Sequence, residues 1–498
     1  MANINRREFL TMAAGGAAAA MMPCCSYDSE SAGGNSASKQ PNIIFILADD
    51  LGYGDLGCYG QQKIETPNLD RMSAEGIRFT QHYAGSTVCA PSRCTLMTGL
   101  HTGHTYVRGN YLTDHVKFEG DLPIPSDTLT AAELLKKAGY ATAIIGKWGL
   151  GGPGTTGAPN KQGFDYFFGY LDQIHAHSYY PSYLWRNEAK VELEGNYNGR
   201  QKSTYSHDLM TKEAMEFVER NKQQPFFLYL AYTIPHAELL VPEDSLKQYE
   251  GKFSEEPFAG NGYSAQAKPK AAFAAMVGRM DRDIGRLFAK LKELGIDEDT
   301  ILLFSSDNGS HKEGGADPSF FNSTGPLRGL KRDLYEGGIR VPMLVRWPGK
   351  IKAGSVSEHV SAFWDFLPTA CELAKVKPPD GIDGISYLPE LLGKKQKQHK
   401  FLYWEFFSYN WFWQPGLSGQ WRNRFESQAV RMGDFKAVRL NVYENPNAPM
   451  ELYNLRNDIG EKFNIAEQHP EIIAKIQKYI RTARTASEYF PTMGKTEK

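Results

Sequence analysis

From residue 41 onward, short unbroken apolar runs alternate with stretches whose apolar positions recur every three to four residues. That alternation predicts strand-helix-strand units around a mostly parallel sheet. Asn42 to Ala48 is apolar on both faces, the pattern of a strand covered on both sides, and it stops abruptly at Asp49-Asp50. Thr66-Pro67 reads as the N-cap and first position of a helix ending at Gly76. Asp127 to Lys137, closed by Gly139, reads as a second helix, and Ala141 to Gly146 as the next strand. Pro225 to Tyr232 is another strand. Ala271 to Leu294 places Phe273, Met276, Val277, Met280, Ile284, Leu287 and Leu291 at helical spacing, a stripe that reads as core. Thr300 to Ser305 runs into Asp307-Asn308, and Val341 to Trp347 is the last strand of the series.

The basic stretch Lys394 to Lys400 marks a boundary. Beyond it Phe401 to Phe407, Ala429 to Met432, Phe435 to Leu440 and Glu451 to Leu455 predict an antiparallel sheet, closed by a helix from Pro470 to Thr485. Ser408 to Ser427 is then a long connection carrying Trp411, Trp413 and Trp421. The chain divides into a leader (1–40), a large α/β domain (41–393) and a C-terminal α+β subdomain (394–498).

Composition changes this picture little. Of 498 residues 41% are hydrophobic and 23% charged, which excludes a disordered or fibrous chain. With 56 Lys and Arg against 57 Asp and Glu, the charge is balanced, which argues against a dedicated nucleic-acid binder. No run of ~20 apolar residues is present to span a membrane. The leader is different. Asn5-Arg6-Arg7-Glu8-Phe9-Leu10 resembles a twin-arginine export motif, and a weakly apolar run from Met12 to Met22 follows it. Cys24 or Cys25 could carry a lipid anchor, or the segment is an ordinary cleaved signal; both readings place the protein in the periplasm or on an extracytoplasmic membrane face. Of the six cysteines, Cys58, Cys89, Cys94 and Cys371 fall in the globular part, too few for a disulfide framework, though one pair could bridge.

Polar residues gather where buried strands end: Asp49-Asp50, Lys147, His236 and Asp307-Asn308. Open α/β sheets bind ligands at the carboxyl ends of their strands. Adjacent carboxylates there need a neutralising partner, and Ca²⁺ or Mg²⁺ suits carboxylate and amide oxygens. Cys89-Ala90-Pro91-Ser92-Arg93, with Thr95 to Gly99 behind it, is the strongest local motif. Read alone, it is a thiol at a helix N-terminus, where the macrodipole lowers its pKa. The motif also matches the C-x-P-S-R of the type I sulfatases. Pro41 to Gly52, Thr66 to Asp70, Gly146-Lys147-Trp148, Ser306-Asp307-Asn308-Gly309 and Glu451 to Leu455 resemble that family in its own order.

The resemblance implies an alkaline-phosphatase-like α/β sandwich with a large mixed sheet, and hydrolysis of a sulfate ester, most naturally on a carbohydrate. It implies that a maturase oxidises Cys89 to formylglycine. It assigns Asp49, Asp50, Asp307, Asn308 and the modified Cys89 to Ca²⁺, and Arg93, Lys147 and Lys331 to an anion clamp. His236 matches the family's general acid, His311 is a candidate substrate contact, and Arg328 reads as a solvated surface charge. One motif departs: where the family has Gly-Lys-Trp-His, this chain has Gly149. His177, or else His175, is expected to fill that space. Trp411 and Trp413 are expected to wall the substrate, with Arg422 and Arg424 reaching a further anion; the alternative is that the Trp residues pack the two domains together. Two rivals stand beside the sulfatase reading: a phosphate or phosphonate monoesterase of the same fold, and a sugar-binding lipoprotein with Cys89 unconverted.

Overall fold

A computed structural model describes residues 40–110, 120–197, 202–414 and 417–491, with the side chains of 409–423 excepted. The leader, with Arg6, Arg7, Cys24 and Cys25, lies outside the described residues. In chain order the large sheet takes β1 (Asn42–Ala48), β2 (Ile77–Phe79), β3 (Ala141–Lys147), β4 (Tyr166–Tyr170), β5 (Tyr183–Arg186), β6 (Ala189–Glu192), β7 (Phe226–Ala231), β8 (Thr300–Ser306), β9 (Met343–Arg346) and β10 (Ser355–Ser357). Their spatial order is β10-β2-β9-β8-β1-β7-β3-β4-β5-β6. From β8 to β4 the sheet is parallel, and β9 and β5 join it antiparallel on either side.

Alternation along β1 explains the layers. Ile43, Phe45 and Leu47 pack with α2 (Cys89–Thr98), α3 (Ala131–Lys137) and α6 (Phe366–Leu373). Ile44, Ile46 and Ala48 face α1 (Pro67–Glu75), α4 (Ser206–Asn221) and α5 (Pro269–Glu293) on the other side. Two faces, both covered, make every residue of β1 buried. The register fixes the functional edge: Leu47 pairs with Ala231 and Ser305, and Gly146 also pairs with Ala231. The strands β1, β3, β7 and β8 therefore end together.

Two helix ends differ from the expected ones for local reasons. The second helix begins at Ala131 rather than near Asp127, because Thr130 and Glu133 form a reciprocal capping box. Thr66 does not cap α1; its hydroxyl accepts from Gly57, and the first N–H groups of α1 (Asn68, Leu69) donate to the Asp281 carboxylate of α5. The bridge left open by the sequence is not formed: the four described cysteines are all free. No described helix is long and apolar enough to cross a membrane.

The smaller sheet is antiparallel, in the order β11 (Leu402–Gln414), β12 (Leu417–Met432), β13 (Phe435–Leu440), β14 (Met450–Asn454), with α7 (Pro470–Ile480) packed on it. Helix α7 stops short of the expected Thr485. The long connection at Ser408 to Ser427 is also corrected. Its backbone is the far half of one hairpin, with Trp411 opposite Trp421. Aromatic-rich runs pair well across antiparallel strands, which outweighs the mixed polar composition. The smaller sheet is joined to the larger domain by buried polar contacts: Trp404 Nε1 donates to Ala84 O at 2.9 Å, and Lys436 of β13 reaches Glu336 at 2.9 Å.

Candidate active site

Asp49 and Asp50 leave the end of β1 in a turn that only a few residue types tolerate. Asp50 has φ 65°, in the left-handed region, where a short polar side chain that bonds locally is favoured. The turn is tied to β8: Asp50 N–H donates to Asp307 Oδ1 at 3.1 Å and Leu51 N–H to Ser306 Oγ at 2.8 Å. Lys147 ends β3, and Cys89 opens α2, a helix buried along its whole length. Ala90 N–H, one of the unpaired donors of that helix start, is satisfied by Asn110 Oδ1 at 3.0 Å.

Each acid meets a base. Lys147 Nζ lies 2.7 Å from Asp49 Oδ2, Lys331 Nζ 2.7 Å from Asp50 Oδ2, and Arg93 2.8 Å from Asp307 Oδ2. Arg93 also donates to Lys147 O at 2.7 Å, so the clamp residues hold one another. Burial by itself would raise Asp49; Lys147, His236 and Arg93 hold it well below the usual carboxylate range. Asp307 goes the other way, pushed up to about 7 by burial and by Asp49. The Cys89 thiol donates to Asp49 Oδ1 at 3.5 Å. Burial raises its pKa far above an ordinary thiol's, which corrects the expected macrodipole-lowered thiolate: desolvation beside two carboxylates outweighs the helix dipole. Asn308 donates to Asp50 Oδ1 at 2.6 Å, while its own Oδ1 is buried without a partner.

His236 adjoins the cluster, its Nε2 3.3 Å from Asp50 Oδ2. Its Nδ1 donates to Ala237 O, which leaves Nε2 to accept from Lys331 Nζ at 2.9 Å. Burial, then Lys331, lowers its pKa to about 4. His177 stacks against its ring at 4.7 Å and His311 at 5.6 Å. Both nitrogens of His311 are taken, one donating to Pro235 O and one accepting from Glu313 N–H. It backs His236 and has no free nitrogen for a substrate, which corrects the expected contact. Glu313, which sequence reasoning passed over, lies 3.6 Å from His236 Nε2 and 3.4 Å from Lys331 Nζ. The sequence signal was its place two residues after His311, before Gly314-Gly315.

The space beside Gly149 belongs to Gln173, not His177. A Cβ at position 149, where φ is 78°, would stand 2.0 Å from Gln173 Nε2. His175 is wedged between Tyr170 and Tyr183 instead. Arg424 pairs with Glu426 and Glu444, so the expected spare cation is engaged. Arg328 is exposed but not idle: it stacks on Tyr335 at 3.8 Å and donates to Glu461 O. The side chains of Trp411, Trp413, Trp421 and Arg422 lie outside the described residues.

Comparison with known proteins agrees with this arrangement. Residues 41–376 match the family model "Sulfatase", and residues 330–486 match "N-sulphoglucosamine sulphohydrolase, C-terminal". The N-acetylgalactosamine-6-sulfatase of Canis lupus familiaris is 30% identical over 477 residues, covering 90% of this chain and 85% of that one. The N-acetylgalactosamine-6-O-sulfatase of Bacteroides thetaiotaomicron is 30% identical over 510 residues, covering 90% and 94%. The crystal structure of Ps i-CgsB in complex with k-i-k-neocarrahexaose superposes with a TM-score of 0.72 at 28% identity, covering 91% and 95%. The strands, the polar edge and the Cys89 helix all fall inside the first matched segment, so the chain belongs to the sulfatase family of the alkaline-phosphatase-like superfamily and is a sulfuric ester hydrolase.

Proposed function

We propose that this sulfatase removes a sulfate ester from a carbohydrate, with Cys89 matured to formylglycine and Ca²⁺ held by Asp49, Asp50, Asp307 and Asn308. The observation that carries it is the convergence of three strand ends and one helix start on a single buried cluster of carboxylates, an amide oxygen and three cations. The donor set fits a hard cation: ligand atoms of Asp49, Asp50 and Cys89 lie within 4.8 Å of one another, and Asn308 Oδ1 is an orphaned acceptor beside them. When bound, Ca²⁺ supplies Lewis-acid polarisation, and hydrated formylglycine supplies the attacking hydroxyl. An unconverted Cys89 is a poor nucleophile here, since burial keeps it a thiol.

The chain's own side chains do the rest. Arg93 fixes the position of Asp307 and of the Lys147 main chain. Lys147 and Lys331 place two ammonium groups beside Asp49 and Asp50, where the sulfate oxygens must sit. A sugar alcohol leaves poorly as its anion, so the bridging oxygen needs a proton at cleavage. Lys331 Nζ, which donates to His236 Nε2, first passes it a proton, and the imidazolium so formed gives that proton to the bridging oxygen, leaving Lys331 one proton short until solvent restores it. The names of the relatives, both sulfatases of an amino sugar, support a saccharide substrate. We further propose export by the Arg6-Arg7 leader into the periplasm or onto a membrane through Cys24 or Cys25. Because twin-arginine export carries folded proteins, the maturase acts beforehand, in the cytoplasm.

Mass spectrometry of the peptide spanning 80–95 tests the maturation: conversion of Cys89 removes the thiol sulfur. Parallel assays on 4-nitrophenyl sulfate and 4-nitrophenyl phosphate test the reaction. An intact thiol in active enzyme, or a preference for phosphate, would overturn the proposal.

A further inference from the structure

The surroundings of His236 leave one direction from which a substrate can reach it. His177 and His311 stack against its ring, and its Nδ1 is bound to Ala237 O. Only Nε2 is left, and three side chains face it: Lys331 at 2.9 Å, Asp50 at 3.3 Å and Glu313 at 3.6 Å. Lys331 and Asp50 are almost wholly buried, whereas 16% of the Glu313 side chain is exposed. Glu313 is therefore the wall of this direction that the alcohol half of the ester meets first.

The carboxylate is held but not saturated. Its Oε2 accepts from Tyr263 OH at 3.0 Å and from Lys331 at 3.4 Å, and its Oε1 pairs with Arg332 at 2.5 Å. An ionised carboxylate offers about four acceptor sites, so among the described residues one is left. Holding Lys331 is not its main service, because Asp50 already does so at 2.7 Å.

An oxygen leaving from within hydrogen-bond reach of Nε2 carries its carbon, and the next substituted carbon, past Glu313. A fixed carboxylate there accepts from a hydroxyl or amide N–H and repels an anion. We propose that Glu313 is a specificity-determining residue: it hydrogen-bonds a donor group on the sugar next to the cleaved ester and rejects substrates bearing a second sulfate or a carboxylate at that place. The proposal rests on the carbohydrate-sulfatase reading above and names which carbohydrates it admits.

The test uses mature enzyme, wild type and Glu313→Gln, which keeps the shape and removes the charge; Glu313→Ala serves as a second variant, and melting curves verify folding. The probes are a panel of galactose and N-acetylhexosamine 4- and 6-sulfates, the matching 4,6-disulfates, and 4-nitrophenyl sulfate. Wild type should prefer the best monosulfate over its disulfate by about tenfold to a hundredfold in kcat/KM, the range of one charged hydrogen bond. Glu313→Gln should shrink that preference at least about tenfold, and should lose more on the monosulfate than on the aryl sulfate. A disulfate-to-monosulfate ratio unchanged by the variant, or a parallel fall on all three probes, would show that Glu313 only positions Lys331 and would overturn the proposal alone. A wild type that cleaves the aryl sulfate but no sugar sulfate would instead overturn the carbohydrate reading, and this proposal with it.

Discussion

Lys331 donates to Nε2 of His236 across 2.9 Å while its ammonium also lies 2.7 Å from Asp50. The acid proposed for the leaving group is thus wired to a residue that also faces the anion. Removing either end should matter in proportion to how badly the leaving group needs a proton. His236→Ala is expected to slow an alkyl sulfate about 10²–10⁴-fold and 4-nitrophenyl sulfate far less. Lys331→Ala should add a loss of anion binding, seen in KM as well as kcat. A series of aryl sulfates of graded leaving-group pKa checks this: equal losses along the series would remove His236 from the acid role.

Asp50 accepts from Asn308 and from Lys331 through separate oxygens. Asp50→Asn removes a hard ligand and a negative charge, so calcium affinity should fall by about tenfold or more, and turnover with it. The metal readout is independent of activity: the calcium-dependent rise in melting temperature should need correspondingly more calcium. Wild-type calcium dependence in this variant would take Asp50 out of the ligand set.

Gly149 is glycine for two reasons that add. Its φ of 78° strains any Cβ, and that Cβ would stand 2.0 Å from the Gln173 amide. Gly149→Ala should therefore cost about 1–2 kcal/mol from the left-handed backbone, with a smaller addition for moving the Gln173 amide aside. Gln173→Gly in the same chain should restore the packing part but not the backbone part. A double-mutant cycle by denaturant titration measures it; simple additivity would mean that the two residues do not compete for one space.

Much of this arrangement was legible because its signals are local. A doubly covered strand such as Asn42 to Ala48 announces itself in apolar runs, and Asp49-Asp50 and Asp307-Asn308 mark where such strands stop. What stayed hidden depends on long-range partners. That Asp281 caps α1 and that Gln173 occupies the place beside Gly149 cannot be read from neighbours in sequence, since each partner is brought in by packing. The hairpin through Trp411 reads as a loop because Asn, Gln and Gly residues around it imitate one; Pro415-Gly416, a turn dipeptide just after the aromatic run Trp411-Phe412-Trp413, is the signal for it.

We propose that this hairpin walls the substrate. Gly109, in the segment that follows α2, bridges to Phe407 at the base of the aromatic half of β11. Trp411→Ala and Trp413→Ala are expected to weaken turnover of a sulfated saccharide while an aryl sulfate is affected less, since only the sugar draws binding energy from remote contacts. Equal losses on both, together with a lower melting temperature, would make the Trp residues packing elements.

The last expectation concerns pH and the contact between the two sheets. Lys436 of β13 sits 2.9 Å from both Glu336 and Glu461, and Glu336 N–H donates to Glu461 at 2.7 Å. Both acids are buried, and Lys436 with Arg340 is shared unequally between them. Burial would raise Glu336, but Lys436 and Arg340 hold it down to about 2. Burial raises Glu461 to about 7, with Lys436 only partly opposing and Glu336 adding to the rise. The signs then follow from an unfolded value near 4.3. The depressed Glu336 contributes stability that is present above about 4.3 and lost as pH falls towards 2. The raised Glu461 contributes stability that is full below about 4.3 and lost as pH climbs through about 7, because ionising it in the folded protein is the costly step. Glu461→Gln cannot ionise and imitates the protonated acid. Its melting temperature should match wild type near pH 4 and exceed it by about 2 °C or more at pH 8. Calorimetry on both proteins across that range decides it: a gap that stays flat, or that favours wild type at pH 8, would mean that Glu461 is already ionised in the fold and that Lys436 serves both carboxylates.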